Sequence, residues 1–195
     1  VLPGSEQIPR ERYNAGDRVK VYVISVSSAM KGPEILLSRS HSNIVRKVFE
    51  SEIPEVASGA IDIKGISRDA GQRSKVAVWS NSDTIDPIGS CIGQRGSRIQ
   101  TIIAELGGEK IDVIQYDEDP EVFISNALSP AKVQSIVLDQ ESKKAVVTVK
   151  DDQLSLAIGK MGQNVRLASQ LTGWSLEVVG DGDGVADEKT EVQGG

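Results

Sequence analysis

The sequence is poor in several residue types that often reveal a protein's chemistry. Aromatic residues make up only 4% of its 195 residues, so its cores must be built from Val, Ile, Leu and Ala. Cys91 and His41 are each the only residue of their kind, which excludes an internal disulfide bond and a Cys/His zinc site. A nucleophilic Cys91–His41 pair remains an alternative, although a thiol in an apolar run generally packs as a small hydrophobe.

Long apolar runs and targeting signals are also absent. No stretch approaches the roughly 18 apolar residues of a transmembrane helix. The first residues contain neither the basic region nor the apolar region of a secretory signal. The sequence therefore predicts no membrane association, and a lone thiol favours a reducing compartment such as the cytoplasm.

Acidic residues outnumber basic ones, but they are unevenly distributed. The formal net charge is −6. Residues 177–195 hold six acidic residues and one basic residue, so the other 176 residues carry a net charge of only −1. A near-neutral body can still present local basic patches, which matter more for phosphate binding than the total charge. Residues 180–195, rich in glycine and acids, are predicted to form an acidic disordered tail.

An internal repeat is the strongest feature of the sequence. Residues 86–113 and 152–178 align with an offset of 66, which becomes 65 because the second copy lacks one residue inside its helix. Two strand-like runs and a helical pattern precede each copy. Each unit is therefore predicted to run helix, strand, strand, helix, turn, helix, strand, and two such units indicate an α+β protein.

Each copy contains an Ile-Gly-x-x-Gly turn between two short helices. Glycine lacks the Cβ that would keep a ligand away from the backbone, and the helix after the turn offers N–H groups and a positive dipole end to a phosphate. KH domains use such a turn to clamp about four nucleotides. The residues predicted to contact RNA are Gly93, Gln94, Arg95, Gly96, Ser97 and Arg98 in the first copy, and Gly159, Lys160, Met161, Gly162, Gln163, Asn164 and Arg166 in the second. The alternative is a pair of tight turns that need glycine only for steric reasons.

Other phosphate, metal and catalytic motifs are missing. The sequence has neither a G-x-x-x-x-G-K-[S/T] nor a G-x-G-x-x-G motif. Its acidic tail lacks the spacing of a calcium loop, and its carboxylates are scattered on polar faces. No catalytic residue, metal or cofactor is therefore predicted, and the chain is not expected to be an enzyme. Two other hypotheses remain: a protein-interaction module whose turns no longer bind RNA, and an RNA-processing enzyme.

The N-terminal region shows a strand pattern of its own. Residues 16–38 are predicted to form two strands joined at Lys31-Gly32-Pro33. A two-stranded hairpin is marginally stable alone, and the sequence has no initiator Met. We therefore expect a chain that begins within a domain.

Four stretches resemble the NusA family of bacterial transcription factors: GDRVKVYV, GPEILLSRSH, DPIGSCIGQRGSRIQTIIAELGGEKIDV and IGKMGQNVRLASQLTGW. The resemblance extends over about residues 1–179 and is most specific in GQNVRLASQLTGW. It implies tandem type II KH domains, with helices packed on small mixed three-stranded sheets, preceded by part of an S1/OB-type β-barrel. The implied domains are residues 1–40 (the C-terminal part of the S1 domain), 41–116 (the first KH domain) and 117–179 (the second KH domain).

The resemblance also implies a function and partners. The family acts in transcription elongation, pausing, termination and antitermination, and it binds nascent single-stranded RNA through S1 and KH domains. The chain is thus expected to bind such RNA as a cytoplasmic monomer. Contacts with RNA polymerase and other antitermination factors are expected of the full-length protein, whose main polymerase-contacting domain is missing here. The resemblance makes both Gly-x-x-Gly turns RNA clamps, with Arg98 and Arg166 as flanking cations. Arg39, in L-S-R-S-H at the implied S1–KH junction, is either a further RNA contact or a surface arginine without such a role.

Overall fold

The computed structural model describes residues 1–182, which form two compact units. The first unit spans Val1–Glu118, and the second begins at Asp119. Most of the predicted acidic tail, residues 183–195, lies outside the described residues.

After a short 3-10 helix at Gly4–Glu6, the first unit forms a two-stranded antiparallel sheet. Its strands are β1 (Tyr22–Ala29) and β2 (Gly32–Ser38). The turn between them is Met30-Lys31, so the predicted turn at Lys31-Gly32-Pro33 lay too far along the chain. Pro33 instead belongs to β2, which pairs with a single neighbour, and an edge strand tolerates a residue without an N–H group.

The rest of the first unit places helices on a mixed three-stranded sheet. Its elements are α1 (Ser42–Glu52), α2 (Pro54–Ala57), β3 (Asp62–Asp69), β4 (Arg73–Trp79), α3 (Pro87–Ile92), α4 (Ser97–Glu105) and β5 (Lys110–Gln115). The central strand, β4, is antiparallel to β3 and parallel to β5. This order confirms the predicted unit, with α2 as the one addition. Pro54 cannot continue α1 but suits the first turn of a new helix.

Branched aliphatic side chains fill most of the core of this unit. The apolar positions of α1 follow helical spacing and lie on one buried face, which consists of Ile44, Val45, Val48 and Phe49. They pack with Val76 and Val78 of β4 and with Ile99 and Ile102 of α4. The core therefore fixes α4, and with it the turn that precedes α4, against the sheet.

The second unit repeats this topology. Its elements are α5 (Pro120–Ala127), β6 (Val133–Asp139), β7 (Lys144–Val149), α6 (Asp151–Ile158), α7 (Gln163–Thr172) and β8 (Ser175–Gly180). The central strand, β7, is antiparallel to β6 and parallel to β8. The two mixed sheets with their helices confirm the predicted α+β fold class.

Candidate nucleic-acid interface

Both Gly-x-x-Gly segments form the same turn between two helices. The first joins α3 to α4, and the second joins α6 to α7. The φ and ψ angles are 75° and 174° at Gly93, 54° and 26° at Arg95, and 74° and 17° at Gly96. The corresponding angles are 77° and 171° at Gly159, 55° and 29° at Met161, and 72° and 14° at Gly162. The repeat therefore extends from the sequence to the backbone conformation.

A non-glycine residue adopts the left-handed conformation in each turn. This conformation costs roughly 1–2 kcal/mol for an ordinary L residue. Arg95 is exposed and Met161 is 90% exposed, so neither side chain gains burial in return. Such strained residues cluster at functional sites, and their occurrence at the same place in both copies favours a functional turn.

The first glycine of each turn is required by the fold itself. A Cβ on Gly93 would lie 2.8 Å from Cγ of Arg98, and a Cβ on Gly159 would lie 2.8 Å from Cβ of Asn164. Side chains do not approach this closely, and the backbone angles of both glycines fall in a region that only glycine adopts readily. The purely steric explanation therefore holds for these two positions.

The second glycine of each turn faces open space. A Cβ on Gly96 would meet nothing closer than Cγ2 of Ile99 at 3.9 Å, and a Cβ on Gly162 would meet no atom within 4 Å. Packing therefore does not demand a bare backbone here. Only the left-handed backbone, with φ angles of 74° and 72°, favours glycine at these positions, and the missing side chain leaves open space beside the start of the next helix.

The side chains around the turns provide both charge and apolar surface. Gln94, Arg95 and Lys160 are exposed, which places one cation in each turn. Ile92 and Ile158 immediately precede the turns and are 37% and 36% exposed. They end α3 and α6, which pack beside the edge strands β5 and β8. These two isoleucines were not among the predicted RNA contacts, although they precede the two turns at equivalent places in the repeat.

Asn164, a predicted RNA contact, is completely buried. Its Nδ2 donates hydrogen bonds to the carbonyl of Ala157 at 2.9 Å and to the carbonyl of Leu128 at 3.1 Å. The side chain therefore points into the fold and is not available to RNA. The sequence pattern could not distinguish this residue from an exposed polar donor.

Arg98, another predicted contact, is also engaged within its unit. Its Nη1 donates to the carbonyl of Ser90 at 2.8 Å and to Oε2 of Glu55 at 2.9 Å. The guanidinium charge is thus already balanced by a carboxylate. Arg98 is equivalent in the repeat to the buried Asn164, which points to a shared structural role.

The other predicted contacts lie at the start of the helices that follow the turns. Ser97 is the first residue of α4, Gln163 is the first residue of α7, and Arg166 lies in the first turn of α7. Ser97 and Arg166 are exposed, and Gln163 is half-buried. Counted from the turns, Arg166 corresponds to Gln100, so Arg98 and Arg166 are not a matched pair of flanking cations.

Arg39 is not a surface residue, contrary to both expectations for it, since it is only 2% exposed. Its guanidinium donates to the Glu11 carboxylate at 2.6 and 2.7 Å and to the Lys20 carbonyl at 2.6 Å. A longer bond of 3.3 Å reaches the Glu105 carbonyl in α4. Burial raises the pKa of Glu11, but hydrogen bonds from Arg39 and Tyr13 outweigh it, so this pKa lies below its ordinary value. Arg39 therefore joins the N-terminal segment to α4 and is not available to RNA.

The geometry does not support a Cys91–His41 nucleophile. Cys91 is completely buried, and burial raises the pKa of its thiol to about 12. His41 caps α1 by accepting a hydrogen bond from the N–H of Asn43, and it stacks on Tyr22. A thiol that is buried and protonated is chemically inert.

Within residues 1–182, no group of three or more His, Cys, Asp or Glu side chains is placed to hold a metal ion. No helix in the same range has both the length and the apolar character needed to cross a membrane.

Two units of this topology, each with a Gly-x-x-Gly turn between neighbouring helices, define a protein with tandem KH domains. Comparison with known families agrees. Residues 39–116 match the NusA-like first KH domain, and residues 120–184 match the NusA-like second KH domain. The chain belongs to the NusA family, which confirms the resemblance found in its sequence.

Individual relatives align with nearly the whole chain. It is 55% identical over 175 residues to the transcription termination/antitermination protein NusA of Thermus thermophilus, and 48% identical over 178 residues to that of Halalkalibacterium halodurans. It is 46% identical over 183 residues to that of Bacillus subtilis. These alignments cover 90–94% of this chain but only 45–49% of the relatives, so the chain spans about half the length of the curated relatives it matches. The crystal structure of APE1850 is also similar, with a TM-score of 0.53 and 25% identity over 71% of this chain and 97% of that one.

Proposed function

We propose that this chain binds single-stranded RNA through its two Gly-x-x-Gly turns, as part of a bacterial factor for transcription elongation, pausing, termination and antitermination. The repeated turn carries the proposal, because the same strained backbone, open second glycine and exposed cation occur twice. Membership of the NusA family supports it. The proposal includes an S1 segment at residues 1–40 and KH domains at residues 41–116 and 117–179.

The geometry suggests how each turn would hold RNA. A phosphate would lie against the second glycine, Gly96 or Gly162, where the N–H groups at the start of the next helix can donate to it. The positive end of the helix dipole stabilises the phosphate charge, and Arg95 and Lys160 add one cation each. The bases would extend over the exposed isoleucine before the turn towards the edge of the sheet. This placement requires unpaired bases.

Fluorescence anisotropy with labelled RNA tests the proposal. An unpaired strand of about ten nucleotides should bind more tightly than a hairpin stem of the same composition, because the turn grips one backbone and needs free bases. Lys160→Gln should weaken binding to the strand. Lys144→Gln, the same change at an exposed lysine on β7 of the same unit, is the matched control and should not. Equal affinity for the strand and the stem would contradict the proposed clamp.

The length of RNA needed for tight binding tests whether both turns engage one strand. The two turns belong to one chain, so binding of RNA at one turn raises the effective concentration of the same RNA at the other. Each turn handles about four nucleotides, so affinity should rise steeply once the RNA reaches about 8–11 nucleotides. Gly162→Asp should abolish this step. A gradual gain with length, or an unchanged step in the variant, would show that the turns act independently.

In the cytoplasm, the full-length protein would also contact RNA polymerase and other antitermination factors. The present chain would bind RNA as a monomer without cleaving it. Light scattering should give a monomer mass, and labelled RNA should stay intact with the chain and magnesium. Cleavage that depends on the chain would favour the RNA-processing hypothesis.

A further inference from the structure

The two turns are attached to their units by different side chains, and in the first unit that side chain is Arg98. We infer that Arg98 is a positioning residue of the first turn. It acts through Glu55 to hold the backbone of Gly93 and Gly96 in its RNA-binding shape, and it does not itself contact phosphate. This role rests on the proposed RNA binding.

The path of the Arg98 side chain shows how it holds the turn. Its stem passes beneath Gly93, where a Cβ on the glycine would lie only 2.8 Å from Cγ of the arginine. Its guanidinium then reaches the Ser90 carbonyl in α3 at 2.8 Å and the Glu55 carboxylate in α2 at 2.9 Å. A single side chain thus connects the helix after the turn with the helix before it and with α2.

Asn164 makes equivalent connections in the second unit. It lies beneath Gly159, and its Nδ2 donates to the Ala157 carbonyl in α6 and to the Leu128 carbonyl beside the end of α5. Asn164 is uncharged and completely buried, so it performs this role without access to RNA. Arg98 and Asn164 therefore share the role of attaching the turn to its unit, and neither role requires contact with phosphate.

The two attachments differ in their dependence on charge. The second is neutral and buried, whereas the first is an ion pair whose partners, Arg98 and Glu55, are 32% and 34% exposed. An acidic residue near RNA ordinarily weakens binding by repelling phosphate. Glu55 should do the opposite if it holds Arg98 in place. If Arg98 were instead a phosphate contact, removal of Glu55 would free its charge and strengthen RNA binding.

This contrast defines an experiment on the full 195-residue chain. Glu55→Gln should weaken binding to an unpaired RNA about fivefold, through loss of a charge-assisted hydrogen bond that is partly exposed. Glu50→Gln is the matched control: Glu50 is 37% exposed and pairs with Lys47 within α1. The control should leave affinity unchanged or slightly raised. Arg98→Glu should weaken binding more strongly, and the exchanged pair Arg98→Glu with Glu55→Arg should recover only part of the loss. The exchange restores the ion pair, but a carboxylate at position 98 cannot donate to the Ser90 carbonyl.

An RNA-independent measurement separates this role from the proposed function. The Gly96 N–H donates to the Gly93 carbonyl at 3.1 Å, so its hydrogen exchange reports on the shape of the turn. Exchange at Gly96 should be faster in Glu55→Gln, slower in the exchanged pair than in Arg98→Glu alone, and unchanged at Gly162. If the wild-type chain bound no RNA, the proposed function would fail, and exchange at Gly96 would still decide the role of Arg98. Unchanged exchange at Gly96, or a Glu55→Gln variant that binds RNA as tightly as the control, would overturn the inference.

Discussion

The second glycine of each turn should separate RNA binding from stability. Gly162→Asp places a Cβ where no atom lies within 4 Å, at a residue whose φ is 72°. The left-handed conformation costs roughly 1–2 kcal/mol for an ordinary L residue and less for Asp or Asn, which adopt it more readily. We therefore expect the free energy of unfolding of the second unit to fall by only about 1 kcal/mol.

The effect of Gly162→Asp on RNA affinity should be larger. A carboxylate about 4 Å from a phosphate is repelled by about 1 kcal/mol even in water, which corresponds to about fivefold weaker binding. The new side chain also occupies the place proposed for the phosphate, so the N–H contacts are lost as well. Together these effects should weaken binding by about tenfold or more.

Two further variants at this turn serve as controls. Gly162→Asn has nearly the same shape without the charge, so its RNA affinity should lie between those of the wild type and Gly162→Asp. Gly159→Ala should show the opposite behaviour, because its Cβ would lie 2.8 Å from the backbone N of Asn164. It should destabilise the unit by about 2–4 kcal/mol, from steric overlap and a backbone conformation almost restricted to glycine.

Urea denaturation and fluorescence anisotropy measure the two effects separately. Gly162→Asp should stay folded and lose RNA binding, whereas Gly159→Ala should lose stability. If Gly162→Asp destabilised the unit as much as Gly159→Ala, or bound RNA as tightly as the wild type, the second glycine would not serve to let phosphate approach the N–H groups of the next helix.

Three further predictions concern buried charges and the salt dependence of binding. Arg39→Ala leaves the Glu11 carboxylate without its main partner and should lower the free energy of unfolding, measured in urea, by about 3 kcal/mol. The folded-state pKa of Glu11 lies below its ordinary value of 4.5. Its stabilising contribution is therefore present above that value and lost as the pH falls through the folded-state pKa, so the Arg39→Ala effect should shrink in acid. Burial lowers the pKa of Lys75 to about 8. The unfolded chain therefore holds the Lys75 proton more tightly than the folded chain, so the contribution of Lys75 to stability should rise between about pH 8 and 10.5. This rise should be absent in Lys75→Met. Arg95→Ala should reduce the slope of log affinity against log salt by about 0.7, the value for one phosphate contact on a single strand, and an unchanged slope would remove Arg95 from the interface.

The topology and the place of the turns were predictable from the sequence because their signals are local. Two copies of one pattern of strand runs, helical spacing and paired glycines predicted the order of elements in each unit. The positions of the turns follow directly from the glycines at residues 93 and 96 and at residues 159 and 162. The short α2 helix was not predicted, because its four residues span about one helical turn and are too few to show helical spacing.

The orientation of individual side chains was not predictable, because it depends on distant partners. Arg98 and Asn164 follow the turns as polar residues and look like RNA contacts in the sequence. Their partners Glu55 and Leu128 lie 43 and 36 residues away. Likewise, the partner of Arg39 lies 28 residues away, in a segment with no recognisable motif. Only the folded chain shows that these side chains make hydrogen bonds within their own units.

Whether RNA lies across both turns can be measured by NMR chemical-shift mapping of the isotope-labelled chain with an unpaired RNA of about ten nucleotides. The largest changes in backbone amide shifts should fall at residues 93–97 and 159–163, with the exposed isoleucines before each turn also affected. The amides of Val76 and Val147, buried in the two sheets, should change little. Amide changes that leave both turns unaffected, while the RNA binds elsewhere, would contradict the proposed interface.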